Sequence, residues 1–404
     1  MLQSIPRQKQ SMGALETVQR MSAENPELSS IKHAGKRNVR VLFIQTQAEN
    51  AGAQEIARLV ATGLEQRGYV TRQLFFFRRT ASFDKDETAE FCLLKRPSNP
   101  LALISLIGRL RKKVREFKPD VVLCFQHYGN LIGAPVAKAA GVRNVIANQN
   151  TSKLLTSKLI RILDLGLGVS GIFSRIVTVS SSAEADFTNY PQSYRSRLTR
   201  IDHGVAVKRS FMDRNAARLH FGLPNDAVIL GCAARLHHMK QLDAAVRLLP
   251  QDPTWHLALA GQGPEAESLM KLAREFGCSN RLHLVGELDT TGVADFLAAL
   301  DIFVFPSQAE TFGLAAVEAA QAGVPVVANH LPVLDEVLSK DGEACAVFVD
   351  ASDPVAFGKA VAALISSPAE MAMLSARGRR LSTRYPVESM VSAYEDLIQD
   401  LVSD

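Results

Sequence analysis

The 404-residue chain contains five cysteines and no C-x-x-C pair. Cys92, Cys124, Cys232, Cys278 and Cys345 are scattered, which excludes a disulfide framework and a thiolate metal site as expectations. Cys124 and Cys232 fall in apolar runs and read as small core residues. No stretch of about 18 uninterrupted apolar residues occurs, so no transmembrane helix is expected. Residues 1–36 are polar, lack clear periodicity and carry no apolar segment of the signal-peptide kind; they are read as an N-terminal tail. Together these absences point to a reducing, cytoplasmic setting. The sequence is also poor in metal-site patterns. His237 and His238 are adjacent and cannot share a helix face. Asp84-Lys85-Asp86 forms a D-x-D pair, but it sits among Glu87 and Glu90 in an acidic loop, where solvated carboxylates are expected rather than converging oxygens.

Apolar residues make up 47% of the chain and charged residues 22%, the balance of a globular protein long enough for two domains. The net charge of +5 conceals a split: residues 1–200 carry +15 and residues 201–404 carry −10. The basic half suggests contact with an anionic surface. A helix is expected over 100–117, apolar at Leu101, Leu103, Ile104, Ile107 and Leu110. Arg109, Arg111, Lys112, Lys113, Arg115 and Lys118 gather toward its end. Cations suit a helix C-terminus, and the same cluster would meet anionic lipid headgroups. The apolar stretch over 154–173, interrupted by glycine, could lie near such a surface without spanning it.

Residues 301–328 organise the rest. Residues 301–307 form an apolar, β-branched and aromatic run closed by Pro306-Ser307, the pattern of a buried strand. A short loop carries Glu310, and an alanine-rich helix follows over 314–322. Gly323 and Pro325 end that helix, and 324–328 is the next strand. The free amides near Thr311, Phe312, Gly313 and Leu314 favour an anion at the helix start. Glu318 lies one turn inside the helix and leans back toward its N-terminus. One carboxylate suits a ribose diol and the other a different part of the same ligand. On spacing alone, Glu310 as a helix-dipole partner and Glu318 as a surface residue carry equal weight.

The whole string, Glu310-x7-Glu318 with Phe312-Gly313 inside and Gly-Val-Pro-Val-Val-Ala after it, resembles the donor-site signature of glycosyltransferase family 4, whose members are retaining enzymes of the GT-B fold. The resemblance implies that Glu310 contacts the donor sugar, that Glu318 binds the ribose, and that the amides between them hold the diphosphate. It extends to Arg235 and Lys240, the cations expected to offset the leaving diphosphate. Ala234 stands where relatives have glycine. His127, at the carboxyl end of an expected strand over 120–125, is implied near the donor sugar. Relatives often carry Gly-Gly-Ala-Glu after the first strand, which is expected here over 39–44; Ala51-Gly52-Ala53-Gln54 leaves Gly52 to carry the role. Asn148, Gln149 and Asn150 are candidate acceptor contacts.

The expectation is therefore an α/β, GT-B protein. Residues 37–205 would form a Rossmann-like acceptor domain, 206–384 a Rossmann-like donor domain, and 385–404 a helix crossing back. The catalytic set is Glu310, His127, Arg235 and Lys240. The donor-binding set is Gly52, Arg235, Lys240, Glu310, Thr311, Phe312, Gly313, Leu314 and Glu318. The implied reaction moves a hexose from a UDP or GDP sugar to a sugar hydroxyl of a glycan or lipid-linked acceptor in bacterial surface polysaccharide or lipopolysaccharide synthesis. No metal and no cofactor beyond the nucleotide-sugar substrate is expected, and no nucleic-acid partner. The protein would be cytoplasmic, with a peripheral position at the inner membrane face through its basic half. A nucleotide-sugar epimerase and a non-catalytic glycosyltransferase-like partner protein are the alternatives. The first would release free UDP without an acceptor; the second would lack one of the four catalytic residues.

Overall fold

The computed structural model describes residues 39–152 and 156–403. The expected tail over 1–36, and the Leu154 end of the apolar stretch, lie outside the described residues. The first lobe is a seven-stranded sheet of β1 (Arg40–Ala48), β2 (Val70–Arg78), β3 (Ala89–Leu93), β4 (Val121–Phe125), β5 (Asn144–Gln149), β6 (Arg175–Thr178) and β7 (Leu198–Arg200). Its spatial order is β3-β2-β1-β4-β5-β6-β7, and every pairing is parallel. The second lobe contains β8 (Val228–Ala233), β9 (Trp255–Ala260), β10 (Leu282–Gly286), β11 (Ile302–Phe305) and β12 (Val326–Asn329). After a small antiparallel hairpin of β13 (Ser339–Lys340) and β14 (Glu343–Ala344) comes β15 (Val347–Val349). The second sheet runs β10-β9-β8-β11-β12-β15, again all parallel.

Both orders are doubly wound, with the chain reversing direction between β1 and β4 and between β8 and β11. Parallel sheets covered on both faces need apolar residues at every position. β4 reads Val-Val-Leu-Cys-Phe and β11 reads Ile-Phe-Val-Phe, and every one of these side chains is buried. The expected helix over 100–117 is the Pro100–Phe117 helix, whose start is capped by Asn99 accepting from the Ala102 amide.

Three elements differ from expectation. Residue 90, placed in an acidic loop from the sequence, lies on edge strand β3. Glu90 points outward to Arg72, 2.6 Å away, and to Lys113, so its charge disguised a strand. β1 extends to Ala48, beyond the expected end at Ile44, because Gln45 turns inward and donates to Gln73 on β2. The Pro368–Arg379 helix was not anticipated. Its signals were present, with Pro368 at its first turn and Ser367 accepting from the Glu370 amide.

The C-terminal helix Val387–Ser403 packs on the first lobe, against the Gly52–Gln66 helix. Tyr394 donates to Asn148 Oδ1 at 2.6 Å, and Arg67 pairs with Glu395 at 2.8 Å. The lobes are therefore joined twice, by the linker after β7 and by the segment before this helix. The two segments touch where the Val205 amide donates to the Tyr385 carbonyl.

Candidate active site

In an open parallel sheet, loops at the carboxyl ends diverge where the winding reverses, and the gap is a crevice. Here two such crevices face each other. The loops after β1 and β4 supply one wall, and those after β8 and β11 supply the other. Between them lies a cleft of about 1430 Å³. That exceeds the 300–1000 Å³ or so of an ordinary ligand pocket and leaves room for two substrates.

On the second-lobe wall, the Leu314–Gln321 helix opens with Gly313 at φ 84° and no side-chain cap. A Cβ at Gly313 would also stand 2.6 Å from Leu334 Cδ2, so only glycine fits. The uncapped helix start faces the cleft, so its free amides present partial positive charge there. Lys240 Nζ pairs with Glu310 Oε1 at 2.5 Å. Lys240 also lies 5.7 Å from the Phe305 ring centroid. Arg235, at the end of β8, is 3.6 Å from Glu49 of the first lobe. Glu318 is half-buried, its side chain 16% exposed, and desolvation pushes its carboxyl pKa up while Lys208, 3.3 Å away, pulls it back. It is not the surface residue that spacing alone allowed. Phe312, expected among the donor contacts, packs its ring against His203 and Tyr385 in the core. Only its backbone is placed to meet a ligand. The Thr311 carbonyl accepts from Ser180 across the lobes.

On the first-lobe wall, Gly52 opens the Gly52–Gln66 helix. A Cβ there would come within 2.9 Å of Leu314 Cδ1, so the glycine lets this loop approach the opposing helix start. Gln126 holds an unusual φ of 64°, fixed by its amide donating to Asn150 and its side chain accepting from the Thr46 amide. That turn sends His127 into the cleft against Tyr128, with ring centroids 4.2 Å apart. Burial lowers the His127 pKa, and its Nδ1 is buried without a hydrogen-bond partner. A neutral imidazole with a spare ring nitrogen suits hydrogen bonding to a sugar.

The structure thus brings Gly52, His127, Arg235, Lys240, Glu310, Thr311, Gly313, Leu314 and Glu318 to one cleft. Two expected acceptor contacts do not join them. Asn148 is fully buried, donating to the Cys124 carbonyl and accepting from Tyr394. Gln149 is held by Asp164 and Tyr194. Both finish the inside of β5, and only Asn150 reaches the cleft. Asp84 pairs with Arg78, and Asp86 accepts from Thr88 and Gln73, the ordinary fate of loop carboxylates. Among the described residues, no group of three or more His, Cys, Asp or Glu side chains is arranged to hold a metal.

Three residues escaped the sequence. Glu49 is buried between Arg79 at 3.2 Å and Arg235 at 3.6 Å. Glu287 accepts from the Asn50 amide, Ser82 and Gln262, bridging the lobes at the rim. Lys208 is buried in the linker between Glu55 and Glu318. Only tertiary contact distinguishes them from other charges, although a carboxylate directly after a strand of a Rossmann unit was a signal for Glu49.

This architecture recurs in solved structures. HepE from Anabaena, crystallised with UDP and glucose, aligns with a TM-score of 0.78 at 17% identity, over 89% of this chain and 99% of that one. WaaG, a glycosyltransferase involved in lipopolysaccharide biosynthesis, aligns with a TM-score of 0.70 at 15% identity, over 89% of this chain and 99% of its own. The fold is GT-B. Residues 213–381 match the family model Glycosyl transferases group 1. The lipopolysaccharide core biosynthesis mannosyltransferase LpsB of Rhizobium meliloti is 33% identical over 50% of this chain and 61% of its own length. A D-inositol 3-phosphate glycosyltransferase of Catenulispora acidiphila is 31% identical over 52% of each chain. The chain thus spans between half and two thirds of the length of these relatives. Among the described residues, no helix is long and apolar enough to cross a membrane.

Proposed function

We propose that this GT-B protein is a retaining, metal-independent glycosyltransferase. It moves a hexose from a UDP or GDP sugar to a sugar hydroxyl of a glycan or lipid-linked acceptor. The observation that carries this reading is the convergence of Arg235, Lys240, Glu310 and Glu318 on the uncapped start of the Leu314–Gln321 helix. The helix amides and two cations would hold the diphosphate, and Glu318 would accept from the ribose diol. Lys240 is paired with Glu310. A diphosphate would compete for Lys240, and the Glu310 carboxylate would then meet the sugar hydroxyls. The reaction breaks the bond from the anomeric carbon to the phosphate oxygen. The acceptor oxygen bonds to the same face, and its proton passes to the departing phosphate, so no protein nucleophile is needed. Arg235 and Lys240 offset the charge that develops on that phosphate.

The names of LpsB and WaaG support an acceptor in surface polysaccharide or lipopolysaccharide synthesis. A peripheral membrane position is part of the proposal. Leu101, Ile104, Leu159 and Ile162 are exposed apolar residues, and Arg111, Lys112 and Arg115 are exposed cations. Lys113 is not available for this role, because it pairs with Glu90.

The test incubates the protein with a panel of nucleotide sugars and acceptors, following nucleoside diphosphate release and the anomeric configuration of the product. Acceptor-dependent release with retention is expected. Inversion, or release from every donor without an acceptor, overturns the reading.

A further inference from the structure

Lys208 sits in the linker between the lobes, outside any helix or strand, yet its side chain is only 5% exposed. Its ammonium lies 3.3 Å from Glu318 Oε1 and 3.6 Å from Glu55 Oε1. Glu55 belongs to the first-lobe helix Gly52–Gln66 and Glu318 to the second-lobe helix Leu314–Gln321. Three separate parts of the chain therefore meet at one cation. Two carboxylates this near each other repel, and a buried carboxylate without a partner takes up a proton. Glu55 has a second partner in Arg58 at 2.8 Å. Among the described residues, Lys208 is the cation paired with Glu318.

We propose that Lys208 is a positioning residue of the donor site, holding the Glu318 carboxylate ionised and aimed at the ribose diol of a nucleoside diphosphate. The assignment rests on the donor reading above. A diol needs an acceptor with free lone pairs. Lys208 engages Oε1 and leaves Oε2 to the ligand. A protonated Glu318 would lose much of that acceptor capacity. Because Lys208 also grips Glu55, the diol contact is set only when the first-lobe helix is in place, so the linker ties ribose recognition to the arrangement of the lobes.

The test measures calorimetric binding of UDP, GDP and their 2′,3′-dideoxy counterparts to the full chain. The wild type should bind one ribonucleotide about tenfold or more tightly than its dideoxy form, the fold-change expected for hydrogen bonds to a charged acceptor. In Lys208→Met the ratio should fall to near one, with dideoxy affinity little changed; Glu318→Gln should do the same, and Lys208→Arg should restore most of the ratio. Lys208→Gln carries the test should Lys208→Met lose its cooperative melt. A ratio in the Lys208 variants equal to that of the wild type makes the lysine a structural bolt and overturns the assignment. A wild-type ratio near one overturns it too. A wild type that binds neither UDP nor GDP overturns the donor reading itself, a result distinct from both.

Discussion

In the second lobe, β11 is followed within five residues by Glu310 and within thirteen by Glu318, so a short continuous string brings most of the anion site together. In the first lobe the loop after β4, the counterpart of β11, offers His127, while Glu49 and Gly52 come from the loop after β1, the counterpart of β8. The two sheets are wound alike and each wall joins two loops distant in sequence, Arg235 and Lys240 with Glu310 in the second lobe, Gly52 with His127 in the first; what differs is that the β11 loop carries two carboxylates in one short string. The family match follows this division, covering 213–381 and leaving the first lobe outside it. In the proposed reaction a diphosphate and ribose would impose one fixed geometry, which a local motif can encode. The first wall presents instead a left-handed Gln126, a half-buried imidazole and a glycine pressed against the opposite helix.

The largest expected effect falls on the second-lobe wall. Glu310→Ala and Lys240→Ala should each lower turnover by about 10²–10³, as for the loss of one positioned charge at the transition state. Turnover and thermal melting measured together check this, with folding retained. His127→Ala, on the first-lobe wall, should cost only about tenfold, the scale of one neutral hydrogen bond. A loss at His127 as deep as that at Glu310 would break the comparison.

A second prediction concerns stability where the lobes join. His203 is buried beside Phe312, and burial lowers its pKa from 6.5 to about 3. Between those values the unfolded chain binds a proton that the folded chain excludes. Stability is therefore full above pH about 6.5 and falls as pH drops toward 3, by about 1.4 kcal/mol per unit from this group. Denaturant melts of wild type and His203→Gln at pH 7 and 5 should show the wild type losing more. Equal slopes would mean that the imidazole is protonated in place.

Glu49→Gln would sharpen the comparison. It leaves Arg79 and Arg235, each 42% exposed, without their shared carboxylate, at a cost of about 1 kcal/mol or less in folding stability. Donor affinity should change less than in Lys240→Ala, since Glu49 holds Arg235 without standing in its place. Denaturant midpoints and donor titrations measure both.

The basic helix bears on binding alone, with its effect spread thinly over several charges. Arg111, Lys112 and Arg115 changed together to Glu should weaken binding to anionic vesicles by about 1 kcal/mol per charge removed, and added salt should do the same. Wild-type protein that stays in the supernatant with anionic vesicles at low salt would remove the membrane from the proposal. Exhaustive chelation should have no effect on transfer, because the cations are side chains. Activity lost on chelation and restored by Mg²⁺ would overturn that reading.

Much of this molecule was legible in its residues, for reasons of range. The unbroken apolar runs of β4 and β11 announced parallel strands buried on both faces, since no polar residue is tolerated there. The Glu310–Glu318 string announced an anion site, because a helix start and side chains within one turn of it are fixed by local geometry. Strand β3 was hidden by Glu90, whose charge finds partners across an edge that the sequence does not display. Asn148 looked like a site residue and is a strut, because its neighbours Cys124 and Tyr394 come from elsewhere in the chain. Lys208 could not be separated from the other charges of the chain by reading it, and Glu49 only by its place after a strand. What marks them is desolvation beside a particular partner, Glu318 for the first and Arg235 for the second. The sequence alone thus determined the central strands β4 and β11, the helix start and the two carboxylates beside it, because those depend on neighbours a few residues away. Which buried charges face each other across the cleft was decided only when two sheets, a linker and a returning helix closed around the same space.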